Sequence, residues 1–182
     1  MTDALVLLKQ DHKTVEQLFK QYEKAHKQGA TGKQRRKLVD QIIKELSVHA
    51  SIEETVFYPA VRAALPDVND EVLEGLEEHH VVKWTLDELV GLDPDHERFH
   101  AKVTVLMESV RHHVEEEETE MFPQVREGMG RKALKEIGAE LEKQKKFSPT
   151  KPHPKAPDAP PANLVAGPAA KVIDLVGDKV RK

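Results

Sequence analysis

Cysteine is absent from this chain of 182 residues, which excludes disulfides, thiolate metal sites, iron–sulfur clusters and cysteine nucleophiles. Any metal must therefore sit on nitrogen and oxygen donors. Long apolar runs are absent as well. The N-terminal stretch Met1-Thr-Asp-Ala-Leu-Val-Leu-Leu-Lys9 has no basic leader and too short an apolar run for a signal peptide, and no later stretch approaches the length of a membrane span. The expectation is a cytoplasmic protein with no membrane partner. There is also no glycine-rich phosphate loop to hold an organic cofactor.

Net charge is only −4, but residues 143–182 carry nine Lys/Arg against three Asp, so residues 1–142 hold a balance of −10. An acidic body of this kind argues against a nucleic-acid partner. The basic tail is read as solvated, with docking on an acidic partner or on the chain itself as alternatives.

Apolar residues recur at spacings of three and four through Leu5, Leu8, His12, Val15, Phe19 and Tyr22, the pattern of an amphipathic helix over about residues 3–28. A second stripe, Leu38, Ile42, Leu46, His49, Glu53 and Val56, predicts a helix that continues past Pro59 to about Ala64. A third runs from Asp70 with Val72, Leu76, His79, Val82, Leu86 and Leu89 inward. The fourth, from Asp95 to about Gly128, aligns Phe99, Val103, Leu106, Val110, His113 and Glu117. Four such helices with short connections predict an all-α, antiparallel up-down-up-down bundle. A fifth helix, about 131–146, is expected to cap it, so that the bundle spans residues 1–146. Seven prolines within 148–168 mark an extended linker (147–168), followed by a short amphipathic segment over 169–182.

The segments His49–Arg62 and His113–Arg126 are copies, identical at seven of fourteen positions. Both carry His-x-x-x-Glu, whose side chains lie about 40° apart around a helix axis and one turn apart along it, so that both reach one point. Together with His12 and His79, the inward polar set is His12, His49, Glu53, His79, His113 and Glu117. Two buried carboxylates at equivalent positions repel unless cations lie between them. A dinuclear centre resolves the conflict, and a pseudo-symmetric His/carboxylate donor set suits iron or manganese rather than a structural zinc, with iron preferred. The spacing assigns His12 and His49 to one ion and His79 and His113 to the other. Glu53 and Glu117 bridge them, with a solvent oxo or hydroxo group completing the pair.

The order His, His-x-x-x-Glu, His, His-x-x-x-Glu, with Asp11-His12, Glu53-Glu54 before Phe57-Tyr58-Pro59, and Glu78-His79-His80, resembles the hemerythrin-like HHE cation-binding family over about residues 1–146. Within it, the chain is similar to mycobacterial and actinobacterial members with this reduced ligand set. The resemblance implies a non-haem di-iron bundle. It also exposes a departure, because oxygen-carrying hemerythrins have a further His four residues after the third-helix ligand, where this chain has Lys83. Without that imidazole both ions keep an open position, which favours two-electron chemistry with hydrogen peroxide over reversible oxygen carriage. The partner expected is thus a small oxidant: hydrogen peroxide, O2 or nitric oxide. The main reading is catalase- or peroxidase-like disproportionation; O2 or nitric oxide binding without turnover, and iron handling, are the alternatives.

Other residues invite a role. Glu54 and Glu118 follow the ligands and could support their imidazoles, although helix-surface glutamates are usually solvated. Tyr58 and Tyr22 could approach the metal, but Phe122 matches Tyr58 in the other repeat, which argues for packing. His80 or His112 would replace its neighbour if the helical phase slipped by one residue. Glu77-x-x-His80 occurs once and lacks the second pair a ferritin-type site requires. The sequence sets no oligomeric state.

Overall fold

The computed structural model describes residues 2–156. Its elements are α1 (Ala4–Lys27), α2 (Gly32–Ile52), α3 (Tyr58–Ala64), α4 (Asn69–Gly91), α5 (Phe99–Glu116) and α6 (Phe122–Gln144), with a short 3₁₀ turn at Pro66–Val68. Among the described residues, no helix is long and apolar enough to cross a membrane.

Contacts at the two ends fix the up-down-up-down course. At one end Tyr22, late in α1, meets His100, early in α5, and Arg36, early in α2, donates to the carbonyl of Leu89, late in α4. At the other end Asp3, which caps α1, pairs with Arg126 at 2.6 Å, and Arg62 donates to Asn69 at 3.0 Å. Asp3 and the Thr31–Gln34 capping box satisfy the first free N–H groups of α1 and α2.

Two hydrophobic clusters fill the bundle. One contains Leu8, Phe57, Tyr58, Val61, Val72 and Phe122; the other contains Val15, Phe19, Leu46, Val82, Leu86 and Val110. On all four long helices the inward His lies between the two clusters, so a polar layer is sandwiched between apolar ones. Those clusters shield it from water. Truncating a large side chain at the boundary, such as Phe57 or Phe122, would cost about 3–5 kcal/mol.

The structure departs from the sequence expectation at the joints. The fourth helix starts at Phe99 rather than Asp95, because the preceding residues form turns in which Asp93 accepts from the amide of Asp95 and Asp95 pairs with Arg35 at 2.8 Å. The long second and fourth helices each contain a π turn, at Glu53–Phe57 and Glu117–Met121. Each π turn is followed by a proline, Pro59 or Pro123, which has no N–H and whose ring crowds the carbonyl four residues back. The helix widens instead of breaking, as Tyr58 N–H reaches Glu53 O and Phe122 N–H reaches Glu117 O, five residues back. Consequently the buried face beyond each Glu advances by a residue: Phe57 and Val61 are buried, whereas Val56 is half-buried.

Gly130, at φ 75°, bends α6 at the point where the expected fourth helix gives way to the fifth. The second limb of α6 lays Leu134, Ile137 and Leu141 against Ala4, Leu5 and Ile52. Lys145 closes it down on Asp11 at 2.6 Å. At the start of the expected linker Phe147 is exposed and Ser148 is fully buried. The rest of the linker and the amphipathic segment at 169–182 lie outside the described residues.

Candidate metal centre

His12, His49, Glu53, His79, His113 and Glu117 come together in the polar layer, none more than 5% exposed. The ring nitrogens face inward in two pairs, His12 Nε2 to His49 Nε2 at 3.2 Å and His79 Nε2 to His113 Nε2 at 3.2 Å. Glu53 Oε2 lies 3.1 Å from His49 Nε2 and 3.3 Å from His79 Nε2. Glu117 Oε2 lies 3.2 Å from His12 Nε2 and 3.7 Å from His113 Nε2. Each glutamate therefore touches one imidazole of each pair. Two groups of these residues have donor atoms close enough to hold an ion, His12/His49/Glu53/Glu117 and Glu53/His79/His113, and Glu53 belongs to both.

The outer face of every imidazole meets a carboxylate. His12 Nδ1 is 2.8 Å from Glu118, His79 Nδ1 is 3.1 Å from Glu54, His113 Nδ1 is 2.6 Å from Glu78, and His49 Nδ1 is 3.6 Å from Asp11. The pattern follows the internal repeat. The residue before the first His of a hairpin, Asp11 or Glu78, serves the second His of the same hairpin. The residue after the Glu, Glu54 or Glu118, serves the first His of the other hairpin. Glu54, buried, and Glu118, half-buried, turn inward because the π turn packs an additional residue into the turn and brings consecutive side chains closer in angle.

A carboxylate at Nδ1 keeps the proton on that nitrogen and leaves a lone pair on Nε2. Where both Nε2 atoms of a pair carry lone pairs, their 3.2 Å separation is repulsive unless a cation lies between them. Burial pushes the His49 imidazole down to about 4, against the pull of Asp11, and burial also lowers His79 against Glu54. Both rings are thus neutral near pH 7. For His113 burial acts in the same direction, but Glu117 and Glu78 outweigh it and raise the value. Burial and then the charge of Glu117 push the Glu53 carboxyl well above the usual range. Burial also opposes ionisation of Glu117, but His113 and His12 hold it below that range. Among the described residues, Glu53 Oε1 and Oε2 and Glu117 Oε2 are buried without a hydrogen-bond partner. Imidazole nitrogens and orphaned carboxylate oxygens that converge on one region fit a bound cation.

Tyr58 reaches this region and Tyr22 does not. Tyr58 Oη donates to Glu117 Oε1 at 2.9 Å and its ring lies 5.5 Å from that of His79, whereas its counterpart Phe122 stacks on His12 at 5.9 Å. Tyr22 sits beside His100 and His26 at the far end. His80 and His112 are exposed and turn away, to Trp84 and Glu116 respectively. Lys83 points neither to solvent nor to the centre: its ammonium donates to Glu54 at 2.7 Å. Sequence reasoning did not single out Asp11 and Glu78 as imidazole partners. The signal was an acidic residue directly before the first His of each hairpin.

Beside the imidazoles lies a cavity of about 20 Å³, room for a single water-sized molecule. Its walls are the four His together with Val15, Leu46, Ala50, Val82, Val110 and Val114.

These features agree with what known proteins share with the chain. The model of the hemerythrin HHE cation-binding domain matches residues 3–125. An uncharacterized hemerythrin-like protein of Schizosaccharomyces pombe is 33% identical over 144 residues, covering 79% of this chain and 71% of that protein. A DNA nickase of a Nostoc strain is 25% identical over 139 residues, 76% of this chain but only 38% of the relative's length. The crystal structure of a hemerythrin HHE cation-binding domain-containing protein from Mycobacterium kansasii superimposes with a TM-score of 0.67 at 23% identity, over 80% of this chain and 86% of that one. With its fold, its duplicated His-x-x-x-Glu and its ring of buried cation donors all in that pattern, the chain belongs to the hemerythrin HHE cation-binding family.

Proposed function

We propose that the chain holds two iron ions joined by a solvent-derived oxygen and disproportionates hydrogen peroxide to water and O2. His12 and His49 would hold one ion and His79 and His113 the other, with Glu53 and Glu117 across the pair. Two iron ions held there would supply the two-electron couple that peroxide disproportionation needs.

The observation that carries this reading is the cavity. It has room for about one water-sized molecule, and four imidazoles line it together with valine, leucine and alanine. A space of this size suits a small oxidant such as hydrogen peroxide better than a bulky organic substrate. The protein's own groups do the positioning. Glu54, Glu78 and Glu118 hold three of the imidazoles by their Nδ1 atoms, Asp11 faces the fourth at 3.6 Å, and Tyr58 Oη keeps a proton 2.9 Å from Glu117 Oε1 at the edge of the centre. Lys83, bound to Glu54, leaves unfilled the position that a fifth imidazole takes in oxygen carriers.

The test is to load the protein with iron, add peroxide and follow O2 with an electrode while iron is assayed. One O2 per two peroxides, with iron retained, is the expected result. A stable adduct without O2 would replace this reading by O2 or nitric oxide binding, and release of the iron would replace it by iron handling.

A further inference from the structure

The two hairpins differ where they meet the surface. His79 lies 67 residues after His12, and His113 lies 64 residues after His49, which sets the equivalences on each helix. On one flank, Ala4, Leu7, Ile52 and Val56 pack beneath α6 with Leu134, Ile137 and Leu141. Their equivalents on the other flank are Glu71, Glu74, Glu116 and Glu120, and all are half-buried or exposed.

A cavity of about 40 Å³ opens among these four glutamates and Glu78. Its inner wall is Gly75, His113 and Glu117. A glutamate run on a helix face is ordinarily just a solvated surface, but this one leads to a buried, unsatisfied acceptor: Glu117 Oε2 is without a hydrogen-bond partner. Gly75 keeps the way open. A Cβ there would stand 2.9 Å from Tyr58 Oη and 3.5 Å from the His113 ring, whereas its equivalent in the first hairpin is Leu8, fully buried. Of this lining, Glu78 and Glu116 lie beside the exposed His112, and the three offer donor atoms within 4.8 Å of one another. Glu78 also holds His113 Nδ1 at 2.6 Å, so this trio and the centre share a residue.

We propose that this acidic flank is the route by which a divalent cation, iron(II), reaches the buried centre, with Glu78, His112 and Glu116 forming an exchangeable first stop. Like charges crowded around a low-dielectric cleft raise the local concentration of a cation and hence its rate of arrival. On this flank the cavity reaches from the surface glutamates to Gly75, His113 and Glu117, while the equivalent flank is covered by α6. The inference rests on the metal-centre reading and adds how that centre is filled.

The test follows anaerobic uptake of iron(II) by the metal-free full-length chain, read as the loss of iron available to a colorimetric ferrous chelator. Glu74→Gln/Glu120→Gln alters two exposed residues outside the centre. Its uptake should be slower by about threefold or more, with a weaker dependence on ionic strength, and should still end at two ions per chain. The Glu74→Lys/Glu120→Lys chain should be slower again, and His112→Asn should slow uptake without changing its end point. Glu136→Gln, an equally exposed neutralisation on α6, should load as fast as the unaltered chain. Uptake by both double variants at the unaltered rate would overturn the route while leaving the centre intact. Failure of the unaltered chain to take up iron at any time would instead overturn the metal-centre reading on which it rests.

Discussion

Glu118 and His12, 106 residues apart in sequence, meet at 2.8 Å between Oε1 and Nδ1. Glu54 and His79 make the repeat-equivalent contact at 3.1 Å. Each joins one hairpin to the imidazole of the other, so the same carboxylates that orient the candidate ligands also tie the two halves of the bundle together. Outer-sphere partners of this kind are typically worth about 10–100-fold in metal affinity. Glu118→Ala and Glu54→Ala should each lose iron affinity in that range while the fold persists, as measured by equilibrium competition with a chelator. Unchanged affinity in both would mean that Nδ1 contacts do not set the strength of the centre.

Glu53 gives a prediction of opposite signs. In the metal-free chain its fully buried carboxyl faces the charge of Glu117 with neither oxygen hydrogen-bonded. Replacing it by the neutral isostere Gln should leave the metal-free protein as stable or raise its stability, on the order of 1 kcal/mol. The same change removes an oxygen shared by both candidate ion positions, so bound iron should fall well below two ions per chain. Denaturant midpoints of the metal-free proteins and iron assays of the loaded ones check the two signs. If Glu53→Gln keeps two ions, Glu53 is not a shared ligand.

Much of this arrangement was legible in the sequence. The periodic seam located four long helices, and the polar residues that interrupted it are the ones the fold brings into a single layer. The break after Gly128 became the bend at Gly130. Less legible were features that depend on two elements at once. Pro59 and Pro123 were visible in the repeat, but only the wide turns they enforce explain why Glu54 and Glu118 are turned inward. Asp11 and Glu78 stand beside the seam of their own helices and find His49 and His113 on neighbouring ones, a relation that no single-helix pattern contains. The fourth helix starts later than the expected Asp95 because Asp95 lies in a turn closed by Asp93 and pairs with Arg35 from another helix.

The histidines at the far end supply a pH prediction. His100 and His26 stack at 3.5 Å, and burial, then His26 and Arg35, lower the His100 value below the ordinary 6.5. A base whose value is lower folded than unfolded binds more protons when unfolded, so its effect is absent at pH above 6.5 and destabilises the fold as pH drops through 6.5 toward the folded value. His100→Gln should therefore match the unaltered chain at pH 7.5 and be less sensitive to acidification to pH 5.5, as compared by urea midpoints. Parallel loss of stability in the two proteins would assign the acid sensitivity elsewhere.

Lys83 tests why the centre should turn over peroxide rather than carry oxygen. Its ammonium pairs with Glu54, which in turn holds His79, so Lys83→His makes two changes at once. It adds an imidazole one turn beyond His79 on the same side of α4, and it removes the cation that charges Glu54. Lys83→Met separates them, because it removes the cation and adds no donor. If an open coordination position is what admits peroxide, Lys83→His should lower O2 release by about tenfold or more and lengthen the life of an azide adduct, a loss of about 1.4 kcal/mol in barrier terms. Lys83→Met should retain most of the turnover and lose some iron affinity through the weakened Glu54 contact. Equal losses in the two variants, at equal iron content, would show that the Lys83–Glu54 pair and not the open position governs the reaction.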